Sequence, residues 1–150
     1  MALKDKIAAD LKSAMLAKDE AKVTVLRGIK STILDAEVAA GKRDTGLPDE
    51  EIEKLLMKEV KKRKEAIDIY EANGRGDLVE SEKTEKNIIE NYLPKQLSDA
   101  EISEKIDEVV ETLGEGEIAQ VGVIIGKVKM LVGSAADGAT VARLVKEKIQ

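Results

Sequence analysis

Apolar residues recur along this chain at steps of three and four, the spacing that lines one side of an α-helix. Leu3, Ile7, Leu11, Ala14 and Met15 predict a first helix of about four turns. A second pattern runs from about 20 to 40 through Val25, Leu26, Ile29, Ile33, Ala36 and Ala40, a face wide enough to be contacted on two sides, and Gly41 supplies its stop. Residues 41–48 are polar, hold two glycines and a proline, and read as a loop. Pro48 followed by Asp49, Glu50 and Glu51 then opens a helix, because proline there forfeits no hydrogen bond and the helix dipole favours acids. Ile52, Leu55, Leu56, Val60, Ile67 and Tyr70 carry its stripe for roughly 25 residues, and Gly74 and Gly76 end it. A fourth helix is expected from Asp77 to Leu93, stopped by Pro94.

A new unit opens at Ser98, whose hydroxyl and the carboxylate of Glu101 fit a capping box. Ile102, Ile106, Val109, Val110 and Leu113 form its stripe, and Gly114 to Gly116 ends it. The stretch from Val121 to Val132 is ambiguous by spacing alone, since its β-branched residues would also suit a buried strand. A helix is favoured because no second strand exists to satisfy the backbone of the first. Residues 133–138 form a turn, with Asp137 placed to cap a last helix carrying Val141, Leu144, Val145 and Ile149. The expected fold class is therefore all-α, with a boundary near residues 94–98 separating an N-terminal domain, 1–95, of about four helices from a C-terminal domain, 96–150.

Composition narrows the chemistry. The chain has 150 residues, 43% hydrophobic and 37% charged, with no Cys, His, Trp or Phe, so its core must be aliphatic. Disulfides, thiolate nucleophiles and thiolate metal cages are excluded, and so is the one side chain that titrates near neutrality unaided. Neither a metal nor a cofactor is expected. Acid pairs such as Glu50 with Glu51, or Glu115 with Glu117, arise readily among 30 acids, and the six scattered serines lack a nucleophile setting. No catalytic residue is assigned. The start, Met1 to Lys6, carries both charge signs where a secretory signal needs an apolar run, which makes the cytoplasm the default. Charges interrupt every apolar run before the ~20 residues of a membrane span, so no membrane association is expected.

A net charge of −5 argues against a generally basic nucleic-acid binder and leaves local patches open. Lys54, Lys58, Lys61, Lys62, Arg63 and Lys64 face only Glu59 between residues 54 and 64. They read either as a phosphate-tracking surface or as a solvated helix face with mixed i,i+4 pairing. From residue 118 onward, Lys127, Lys129, Arg143, Lys146 and Lys148 are opposed only by Asp137 and Glu147. Gly122 and Gly126, one helical turn apart, would admit either a neighbouring helix or a ribose-phosphate strand. The turn before the last helix would hold phosphate or simply cap itself through Asp137.

Several blocks together resemble one family. Val60-Lys-Lys-Arg-Lys-Glu-Ala-Ile67, Asn73-Gly-Arg-Gly-Asp-Leu78, Glu90-Asn-Tyr-Leu-Pro-Lys-Gln-Leu-Ser98, Val121-Gly-x-x-Ile-Gly-Lys-Val128 and Ala136-Asp-Gly138 are similar, in order and spacing, to the YqeY proteins. These in turn are similar to the C-terminal tail of GatB, the B subunit of the glutamyl/aspartyl-tRNA amidotransferase. The resemblance implies a larger N-terminal helical bundle and a three-helix, GatB-tail-like C-terminal domain. It also implies a place near transfer RNA, and a family label of carbon-nitrogen ligase activity with glutamine as amido donor. The nucleophile, ATP and magnesium sites of such a ligase are not visible in this chain. Where relatives carry two basic residues before the Ala-Asp turn, this chain has Gly133, Ser134 and Ala135, which implies weaker RNA contact there.

The reading that follows is a cytoplasmic accessory protein docking tRNA or aminoacyl-tRNA electrostatically, without a catalytic centre of its own. Its candidate RNA-binding residues are Gly122, Gly126, Lys127, Lys129, Arg143 and Lys146, with Lys61, Arg63 and Lys64 as a second surface. An aminoacyl-tRNA synthetase or an amidotransferase component is the expected protein partner. The rival readings are a helical protein-protein adaptor and a part of an amidotransferase complex.

Overall fold

A computed structural model describes residues 2–118 and 120–149, without the side chains of residues 117 and 118. Every regular element among them is helical, as the apolar spacing predicts. The chain divides into two compact units, Met1–Leu93 and Pro94–Gln150, each with its own aliphatic core.

The first unit holds α1 (Leu3–Ala17), α2 (Glu20–Ala39), α3 (Asp49–Ala72) and α4 (Gly76–Glu90). Helix α3 lies along α4, α1 along α2, and α2 also touches α4. The stripes read from the sequence supply the core, with Ile7, Leu26, Ile33, Ile52, Leu56 and Ile89 out of water. Helix α1 ends where Lys18 turns left-handed at φ +57°, and Asp19 then caps α2 by accepting the Lys22 N–H at 3.2 Å. Asp49 does more than open α3, for its Oδ1 accepts the Leu3 N–H at 3.0 Å and so ties the start of α1 to the start of α3. Helix α4 stops at Glu90, three residues short of the expected Leu93. The segment before Pro94 is turn, consistent with a proline pushing its predecessor out of the helical region. Tyr92 is buried there, and its hydroxyl donates to Asp10 on α1 at 2.5 Å.

The second unit holds α5 (Asp99–Glu111), α6 (Glu115–Ile118), α7 (Val121–Val132), a 3-10 turn (Gly133–Ala135) and α8 (Gly138–Ile149). Helices α5, α7 and α8 pack mutually around Ile102, Ile106, Ile124, Val128, Val141 and Val145. The ambiguous stretch is thus a helix. The glycine-rich segment expected only to end α5 instead begins a one-turn helix at Glu115. Ser98 and Glu101 form the capping box at 3.1 and 3.2 Å. Ahead of it, the Leu97 N–H donates to the Ala135 carbonyl at 2.8 Å and the Gln96 amide to the Ser134 carbonyl at 2.9 Å. Among the described residues, no helix is long and apolar enough to cross a membrane.

Candidate nucleic-acid interface

Most of the basic residues after 120 are engaged inside their own unit. The Lys129 ammonium, half-buried on α7, donates to the Gly133 carbonyl at 2.8 Å and also to that of Ala136, so it holds the turn that follows its helix. Arg143 on α8 is bound on two sides, by Asp99 at 3.0 Å and by Glu147 at 3.2 Å. The Asp99 hydrogen bond, then that of Glu147, raises the guanidinium's pKa further. Lys148 meets Asp107 at 2.6 Å. Lys127 and Lys146 are exposed, with no ion pair to any described residue. The structure therefore leaves two lysines of the five basic residues open to a polyanion.

Of the two alternatives for Gly122 and Gly126, close helix packing is not seen: no helix among the described residues packs closely on them. Both face open space on α7, where an added Cβ would meet nothing within 4 Å. No described residue of this chain needs them small. Asp137, by contrast, caps α8: the Thr140 N–H donates to it at 2.8 Å and the Thr140 hydroxyl at 2.9 Å.

On α3 the basic run separates into engaged and open members. Arg63 is only 19% exposed and bridges Glu59, at 2.7 Å, to Glu85 of α4, at 3.4 Å. Burial pushes the Glu59 carboxyl up, but the Arg63 hydrogen bond and the charges of Lys62 and Arg63 outweigh it, and the group stays below its ordinary value. Lys62 leans on the same Glu59 at 3.4 Å, and Lys54 on Glu51 at 3.3 Å. Lys58, Lys61 and Lys64 are exposed and make no ion pair with a described residue. Spaced by three, they lie within an arc of about 120° over ~9 Å of helix. Arg63 therefore does not join Lys61 and Lys64 on an open surface, because it is built into the α3–α4 contact.

Other chemistry is sparse. Among the described residues no group of three or more acids is placed to hold a metal ion. A cleft of about 400 Å³ between α2 and α4 is lined by Glu20, Ala21, Thr24, Ser81, Thr84 and Glu85, and no motif pointed to it. Its two threonines donate to carbonyls of their own helices, Thr24 to Glu20 at 2.9 Å and Thr84 to Glu80 at 3.0 Å. Of the acid pairs, Glu51 is spent on Lys54, and the Glu117 side chain lies outside the described residues.

A family model described as YqeY, Yqey-like protein, matches residues 4–149. Relatives named "Altered inheritance of mitochondria protein 41, mitochondrial" include that of Lachancea thermotolerans, 39% identical over 69% of this chain and 56% of the relative. That of Kluyveromyces lactis is 37% identical over 79% of this chain and 65% of the relative. That of Pyrenophora tritici-repentis is 28% identical over 96% of this chain and 79% of the relative. The match with the two yeast relatives spans between half and two thirds of their length. These names correct the expectation of a cytoplasmic protein, because the relatives are named as mitochondrial.

Proposed function

The chain belongs to the Yqey-like protein family, and on that premise we propose that it is a tRNA-binding accessory module, similar to the tail of GatB. It docks aminoacyl-tRNA through phosphate contacts and positions it for an aminoacyl-tRNA synthetase or an amidotransferase component. What supports this reading is one observation: among the exposed lysines that no described carboxylate neutralises are Lys58, Lys61 and Lys64 in the first unit and Lys127 and Lys146 in the second. Arg63 and Arg143 would have to leave their carboxylates to meet a phosphate, so they contribute less. With two tyrosines in the chain, of which Tyr92 is buried, there is no aromatic platform for stacking bases. Recognition then rests on shape and backbone rather than on sequence.

A mobility-shift titration with unfractionated tRNA at about 50 mM salt tests this. Binding should weaken steeply with salt, by roughly 0.7 to 0.9 in log-log slope for each phosphate contact. Lys58→Glu with Lys61→Glu, and separately Lys127→Glu with Lys146→Glu, should each weaken it by about tenfold or more. No binding at low salt, or indifference to both pairs, rejects the reading.

A further inference from the structure

Asn73-Gly-Arg-Gly-Asp-Leu78 is a block that the candidate interface leaves unused, and it forms the joint between α3 and α4. The Gly74 N–H donates to the Glu71 carbonyl at 3.2 Å and the Arg75 N–H to that of Tyr70 at 2.9 Å. These are the paired closing bonds of a helix followed by a left-handed residue, Gly74 at φ +68°. Asn73 precedes that residue at φ −100° and ψ 7°, and its side-chain amide donates backwards to the Ile69 carbonyl at 2.8 Å. Both residues are exposed. Asparagine followed by glycine carries a chemistry of its own. Without a side chain, glycine leaves its backbone nitrogen unhindered, and the chain turns freely enough there to bring that nitrogen onto the amide carbon before it. The closed turn prevents this: the amide is held four residues back along α3, and the nitrogen that would attack it is bonded to Glu71.

We propose that Asn73 is a self-modification site, deamidating through a cyclic imide with Gly74 when this turn opens, and that the product keeps the α3–α4 joint from closing as before. The Gly74 N–H gives its proton to hydroxide and the nitrogen attacks Cγ of Asn73. The new N–Cγ bond forms, the Cγ–Nδ2 bond breaks, and the leaving nitrogen takes a proton from water to depart as ammonia. Water then opens the imide at Cγ to give aspartate, or at the main-chain carbonyl to give isoaspartate. Either product puts a carboxylate at the negative end of the α3 dipole, on a last turn that has no basic residue and already carries Glu71. Either also removes the donor that serves Ile69. Isoaspartate further lengthens the main chain inside the turn and so displaces the bonds from Gly74 and Arg75. The reaction consumes water alone, so it depends on the opening of one turn and on nothing docked against it. Asn87 and Asn91 provide the internal comparison, because the bulky Ile88 and Tyr92 follow them.

The test incubates the full chain at alkaline pH, both folded and in unfolding urea. Conversion at each asparagine is read by peptide mass spectrometry, with fragmentation that separates aspartate from isoaspartate. In the folded chain Asn73 should convert about tenfold faster than Asn87 or Asn91, or more, yield isoaspartate as well as aspartate, and speed up as pH rises. Unfolding should accelerate Asn73 by about tenfold or more. Ile67→Ala removes buried contacts near the end of α3 without touching the Asn-Gly pair, and should accelerate Asn73 several-fold in the folded chain. Asn73→Asp should lower the urea midpoint of the first unit. The proposal is overturned if Asn73 converts no faster than the other two asparagines, if no isoaspartate forms, or if neither unfolding nor Ile67→Ala changes its rate. A parent-like urea midpoint for Asn73→Asp together with unchanged stability of the converted protein overturns the loosening of the joint.

Discussion

Glu37 lies on α2 with its side chain wholly out of water, and Lys4 of α1 reaches it through hydrogen bonds of 2.8 and 3.0 Å. The Leu47 N–H donates to the same carboxylate, so one buried group fastens the loop between α2 and α3 to α1. Gly46 fits beneath it at φ +77°, where an added Cβ would stand 3.2 Å from Oε2. The Lys4 hydrogen bond, working against burial, holds this carboxyl below its ordinary value of 4.5. A carboxyl with a depressed folded-state pKa stabilises the fold above its unfolded value, and that contribution is lost as pH falls through the folded one. Glu37→Gln should therefore lower the urea midpoint of the first unit at pH 7, and the gap to the parent should shrink as pH falls below 4.5 and through the depressed folded-state value. An undiminished gap at low pH would show that the carboxyl's charge is not what matters. None of this was legible in the sequence. The apolar spacing of α2 points to Ala36 and Ala40 and passes over Glu37, because an acid at a core position makes sense only with its base, and that base lies 33 residues away.

At the scale of elements, the helices were readable wherever spacing and end signals agreed. The capping box at Ser98 needed only local residues, and so did the Asp137 cap of α8. The reading failed where a local signal admits two outcomes. Glycines at 114 and 116 read as a stop, yet a single turn of helix starts between them at Glu115. Gly122 and Gly126 admitted either a neighbouring helix or a ribose-phosphate strand, and spacing alone does not tell that no described atom lies within 4 Å of a Cβ at either. That exposure carries its own prediction. Since an alanine Cβ would meet no atom there, Gly122→Ala and Gly126→Ala should each stabilise the second unit by about 1 kcal/mol. Each should raise its melting temperature by several degrees. A fall in melting temperature would reveal an internal need for glycine.

Across the whole molecule, the separate cores say how damage should spread. Ile124 is fully buried among residues of the second core alone. Ile124→Ala should cost about 2 to 5 kcal/mol, comparable to the whole stability a small single core supplies. Amide exchange should then become fast throughout residues 94–149 while the first unit keeps its protection. Uniform loss in both would contradict the division. Charge at this scale was only half legible. The sequence shows which stretches are basic, but whether a base is open depends on acids distant in the chain, such as Asp99 for Arg143, 44 positions away. The most recognisable block, Tyr92 to Ser98, turns out to be structural: Tyr92 is bonded to Asp10, Gln96 and Leu97 to the 3-10 turn, and Ser98 caps α5.

Both tyrosines, the buried Tyr92 among them, fall within residues 1–93, and the chain has no other aromatic side chain. Near-ultraviolet absorbance and intrinsic fluorescence thus watch one half of the protein and are blind to the other. An optical melting curve would look complete while residues 94–150 had already come apart, or had yet to do so.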